Sequence, residues 1–99
     1  MESIRIDNEG ISLQGVYTQH EKNRAVVVTH PHPLYGGNMD NPVVITVESV
    51  FLNMGFSGLR FNFRGAGGSD GAFDDGKGEA SDVAAAVAWL RTQGAEAVV

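Results

Sequence analysis

Cysteine is absent from this chain of 99 residues, which excludes a disulfide framework and any zinc site built on thiolates. Positive charge is scarce too. Seven Lys and Arg stand against twelve Asp and Glu, a formal net charge of −5. That balance opposes a nucleic-acid partner, which needs a basic face. No apolar stretch approaches the ~20 residues that span a bilayer. The start, Met1-Glu2-Ser3-Ile4-Arg5, lacks the basic-then-apolar order of a secretion signal. The expected setting is therefore cytoplasmic, without membrane association. What is present is a globular composition, 42% hydrophobic and 19% charged, in a length that allows one domain at most.

Hydrophobic periodicity organises the chain. Ser3 to Asp7 and Ile11 to Thr18 alternate apolar and polar residues around Asn8-Glu9-Gly10, the pattern of an antiparallel hairpin with one wet face. Ala25-Val26-Val27-Val28-Thr29 is instead a continuous run, as in a strand buried on both faces of a parallel sheet. Prolines 31 and 33 end it. Asp40 or Asn41 ahead of Pro42 starts a helix, and Val43, Val44, Val47, Val50, Phe51 and Met54 keep helical spacing up to Gly55. Phe56 to Phe63 reads as a strand and Arg64 to Gly78 as a glycine-rich loop. Glu79 to Gln93 reads as a helix, with early acids and a late Arg91 that suit its dipole. Ala97-Val98-Val99 opens a further strand. The order β-β-β-α-β-α-(β) predicts an α/β fold, a hairpin leading into a parallel sheet with helices on both faces.

Three stretches carry candidate chemistry. Gly67-Gly68-Ser69-Asp70-Gly71 matches the G-x-S-x-G pattern. A nucleophile elbow, however, sits directly between a strand and a helix, and Ser69 lies mid-loop with nothing in the pattern to pin its hydroxyl. The segment from Gly71 to Gly78 nearly spells a phosphate-binding loop, but Gly78 replaces the magnesium-binding Ser or Thr, and Asp74 and Asp75 would repel a phosphate. Gly65-Ala66-Gly67 opens a dinucleotide fingerprint that Asp70 breaks. His30-Pro31-His32-Pro33 lacks the further ligands a metal needs. Following a buried strand, it lies where open α/β sheets place ligand sites, and there a stiff loop can aim a backbone N–H at an oxyanion. Because proline has no N–H, His32 and Leu34 are the available donors. Arg64, at the next strand's end, either pins a neighbouring loop or is an exposed surface arginine.

His30 to Asn41 and Arg64-Gly65-x-Gly67-x-Ser69 together resemble the signatures after the third and fourth strands of the α/β-hydrolase superfamily, in its compact bacterial branch related to dienelactone hydrolase and small esterases. Asn62 stands where the superfamily more often has Asp. The resemblance implies an oxyanion-hole N–H from His32 or Leu34, and loop-supporting roles for His30, Arg64, Gly65 and Gly67. It implies a serine hydrolase acting on a small ester or acyl substrate without cofactor or metal. It also places the nucleophile after a fifth strand, so residues 1–99 are expected to form an incomplete domain, inactive alone, with no catalytic triad residue. The alternatives are a non-catalytic module that self-associates through an exposed sheet edge, and a small nucleotide- or phosphate-binding domain using loop 64–78.

Overall fold

The computed structural model describes residues 1–20, 23–30, 37–73 and 76–99. Strands β1 (Glu2–Asn8) and β2 (Ile11–Thr18) form the expected hairpin. Glu9 and Gly10 both take positive φ, 51° and 91°, the two-residue turn whose twist matches that of paired strands. Strands β3 (Arg24–Val28), β4 (Ser57–Phe61) and β5 (Ala97–Val98) complete one sheet in the order β1-β2-β4-β3-β5. The β3–β4 and β3–β5 pairs are parallel, and β2 joins β4 antiparallel. Val99 extends the last pairing, exchanging backbone hydrogen bonds with Ala25 and Val27.

Helix α1 (Pro42–Asn53) covers one face and α2 (Lys77–Thr92) the other. Successive strand residues therefore enter different cores. Ile6, Leu13, Tyr17, Ala25, Leu59 and Phe61 pack with Ala86 and Leu90 of α2. Val26, Val28 and Phe56 pack with Val44 of α1. This two-sided burial is the physical reason that the β3 segment is continuously apolar.

The structure resolves or changes the sequence reading in five places. Of the two cap candidates, Asn41 caps α1, its Oδ1 accepting from the Val43 N–H at 2.9 Å. The β4 ladder stops at Phe61, because the Asn62 N–H turns to the Gln14 carbonyl and the Phe63 N–H turns to His30. Helix α2 begins at Lys77, two residues early, where Glu79 reaches back to accept from the Gly76 N–H at 2.9 Å. The apolar positions of α1 do not all face the sheet. Val44 is buried, while Val43, Val47, Val50 and Met54 form an exposed stripe, with Val43 68% exposed. The hairpin's second face is not fully wet either: Ser12, Gln14, Val16 and Thr18 are half-buried, and loop residues 67–70 approach Ser12 and Gln14.

Leu59 is fully buried at the centre of the α2-side core. Leu59→Ala is expected to cost about 2–5 kcal/mol, read as a fall in the urea midpoint with an unchanged slope.

Candidate functional site

Parallel strands β3 and β4 end at the same sheet edge, so the segments after them meet there. Two hydrogen bonds staple these segments together. The Phe63 N–H donates to His30 Nε2 at 3.0 Å, and the Met39 N–H donates to Asn62 Oδ1 at 2.8 Å. His30 is buried and meets the Phe63 ring edge-on, with centroids 4.9 Å apart. As an acceptor, its Nε2 carries no proton, which assigns the neutral tautomer protonated on Nδ1. His32 and Leu34 lie outside the described residues, as do Asp74 and Asp75.

Asn62, 2% exposed, is the hub. Its Nδ2 donates to Gln14 Oε1 at 2.7 Å, and the Gly68 N–H donates to the same oxygen at 2.8 Å. Backbone N–H groups at both ends fix the orientation of the two amides. Gly68 requires an oxygen on Gln14, Met39 requires an oxygen on Asn62, and the Asn62 NH₂ must then face Gln14. This explains asparagine here, since an ionised aspartate accepts only and would set oxygen against oxygen. Gly67 is required by the same hub. Its φ is +48°, and a Cβ there would lie 2.4 Å from Asn62 Nδ2.

Ser69 corrects the expectation of an unpinned hydroxyl. Its Oγ donates to the Asn62 carbonyl at 2.6 Å and accepts from the Gln14 N–H at 2.8 Å. The hydroxyl is used in fixing the loop to β2, a role that depends on residues distant in sequence. The Gly65 N–H donates to the Asp70 carbonyl, and Asp70 in turn pairs with Ser12, so the glycine-rich segment is tied to the hairpin.

Arg64 is not a surface arginine. It grips Asp82, a fully buried residue of α2, through Nη2–Oδ1 at 2.9 Å, Nε–Oδ2 at 3.2 Å and its own backbone N–H to Oδ2 at 2.9 Å. Asn8 Nδ2 adds a fourth donor at 2.9 Å. Burial by itself would raise the Asp82 pKa. The Arg64 side-chain and backbone hydrogen bonds and the Asn8 bond outweigh it, and the carboxyl titrates below its ordinary value. Sequence reading missed Gln14, Arg60 and Glu48. Each acts through a partner distant in the chain, and only Glu48, a charge among the apolar positions of α1, carries a local signal.

No three His, Asp or Glu side chains among the described residues converge as a metal site would require. A cavity of about 140 Å³, lined in part by Tyr17, His20, Arg24, Ser57 and Gln93, lies at the opposite end of β3 and β4 and takes no part in the stapled edge. No helix among the described residues is long and apolar enough to cross a membrane.

The strand order, the helix on each face and the paired loops define the amino-terminal portion of an α/β-hydrolase fold. An α/β serine hydrolase homologue from Coxiella burnetii superposes with a TM-score of 0.91 at 34% identity, over 98% of this chain and 49% of its own. A lidless α/β serine hydrolase from Xanthomonas campestris gives 0.82 at 30% identity, over 94% of this chain and 45% of its own. An uncharacterized protein of Rickettsia prowazekii (strain Madrid E) is 46% identical over 81 residues, 80% of this chain and 34% of that protein. The model of the X-Pro dipeptidyl-peptidase family (S15 family) matches residues 10–97, and the chain belongs to that family. It spans a third of the Rickettsia relative and half of the Coxiella structure.

Two outcomes follow from the hub and the ion pair. Asn62→Asp is expected to cost about 1–3 kcal/mol through the lost donor to Gln14, measured by chemical denaturation at neutral pH. Because the Asp82 pKa is lowered on folding, its contribution is complete above 3.8 and is lost as pH falls through the lower folded value. The stability difference between wild type and Asp82→Asn should therefore narrow only as pH falls below 3.8, which denaturation series from pH 6 to pH 2 would measure.

Proposed function

We propose that this chain supplies the loop framework and one oxyanion donor of a serine hydrolase that transfers the acyl group of a small carboxylic ester to water. The observation that carries the reading is the stapling of the β3 and β4 loops at the sheet edge through His30–Phe63 and Asn62–Met39. Open α/β sheets bind ligands at that edge.

In this reading a serine outside residues 1–99 attacks the carbonyl carbon, and the carbonyl electron pair moves onto oxygen. A backbone N–H from His32 or Leu34 stabilises that oxyanion, a contribution of about 3–4 kcal/mol for such a donor. Collapse expels the alcohol, which takes the proton that the serine gave to a base outside residues 1–99. Water, deprotonated by that base, then releases the acyl group as the acid, and the base returns its proton to the serine. His30 supports the framework and is not the base, since its Nε2 is engaged by the Phe63 N–H. Ser69 is not the nucleophile, since its hydroxyl is spent on Asn62 and Gln14. Arg64, Gly65 and Gly67 hold the second loop. The lidless Xanthomonas relative supports an open site. The exposed stripe of α1 supports a larger domain of which these residues form part. A net charge of −5 without cysteine fits a cytoplasmic setting.

The peptidase description of the family favours a second reading, the same acyl transfer with an amine leaving from a prolyl peptide. Assays on the full gene product separate the two. Turnover of p-nitrophenyl butyrate, blocked by a fluorophosphonate, is expected. Faster release of p-nitroaniline from an Xaa-Pro anilide would favour the peptidase, and turnover of neither would sink both. Residues 1–99 alone should show no turnover, with or without Ser69→Ala, and activity lost in that variant would reinstate Ser69 as the nucleophile.

A further inference from the structure

Strand β4 carries a charge where its neighbours are apolar. The Arg60 side chain is 10% exposed and lies beneath α1. Its Nε reaches Glu48 Oε1 of α1 at 3.3 Å, while Nη1 reaches the Met39 carbonyl at 3.1 Å and Asp40 Oδ1 at 2.8 Å. Glu48 is buried in turn, and its Oε2 has no hydrogen-bond partner among the described residues. Burial raises the Glu48 pKa, and the attraction of Arg60 only partly opposes the rise. An ion pair that leaves a buried carboxylate oxygen unsatisfied is a poor source of stability, because apolar residues of similar volume commonly do as well or better. The geometry accounts for it differently. Met39 is gripped at both polar groups, its N–H by Asn62, one residue past β4, and its carbonyl by Arg60 of β4, two residues earlier. A planar guanidinium can serve α1 and the junction ahead of it at once, which a lysine's single ammonium cannot match.

We propose that Arg60 is a positioning residue. It fixes the Met39–Asp40 junction, where the β3 loop enters α1, with Glu48 orienting its guanidinium, and the hydrolysis depends on that fixed junction. The inference rests on the functional reading above. Displacement of supporting groups by about 1 Å can cost a reaction up to about 100-fold.

The test combines amide hydrogen exchange at Met39 and Asp40, referenced to the core amide of Leu59, with steady-state kinetics of the full gene product on p-nitrophenyl butyrate. Arg60→Met should accelerate exchange at the junction but not at Leu59, and lower kcat about 10- to 100-fold with KM held within about threefold. Arg60→Lys should recover part of both. Should Arg60→Met fail to fold, Asp40→Ala, at a mostly exposed partner, should give a smaller change of the same kind. Unchanged junction exchange, uniformly faster exchange, or a change confined to KM would overturn the proposal. A wild-type enzyme without turnover would sink the functional reading instead, and the exchange comparison would then decide the junction alone.

Discussion

The Asn62 carboxamide is the constraint on which the candidate site depends. It lies one residue beyond β4, almost wholly buried, and joins the chain entering α1 to the second strand of the hairpin. Both of its polar atoms face partners that tolerate one orientation only. A buried amide of this kind is costly when half-satisfied and rigid when complete. The neighbouring peculiarities follow from it. Gly67 has no side chain because the amide occupies that space, Ser69 is turned inward to the Asn62 carbonyl, and Gln14 is drawn over the hairpin face.

Arg64 and Asp82 do for the α2 side of the sheet what Asn62 does for the other. The carboxylate of a helix residue receives the guanidinium and backbone N–H of Arg64 together with the Asn8 side chain. The end of β4 is thus anchored above and below the sheet, through polar groups whose pairing is directional. Apolar packing sets where the helices lie. These bonds set which way the loops leave the strands.

Much of the fold was legible because it rests on local periodicity. Alternation marked the hairpin, the unbroken Val26-Val27-Val28 run marked a strand covered on both sides, and Pro42 and Gly94 punctuated the helices. The motif pair His30–Asn41 and Arg64–Ser69 pointed to the correct superfamily. What the residues could not reveal was partnership. Arg60 sits in an alternating pattern as though it faced water, and only its distance to Met39 and Glu48 shows otherwise. Arg64 reads as a loop support or a surface charge, and its actual partner is hidden because Asp82 is eighteen residues away on a helix. The stripe Val43, Val47, Val50 and Met54 has core-like spacing, yet helical spacing alone does not say which of two apolar faces meets the sheet.

The bonds that shape the site are long in sequence. Asn62 and Gln14 are 48 residues apart, and Asn8 and Asp82 are 74 apart. Such contacts form only after large loops close, so they come late and depend on chain already in place. A ribosome-bound chain that has emerged as far as β4 holds the hydrophobic material of the sheet but lacks the α2 carboxylate that anchors Arg64. The docking of α2 therefore completes the anchoring of Arg64, while the Asn62 bonds to Met39 and Gln14 need no residue of that helix.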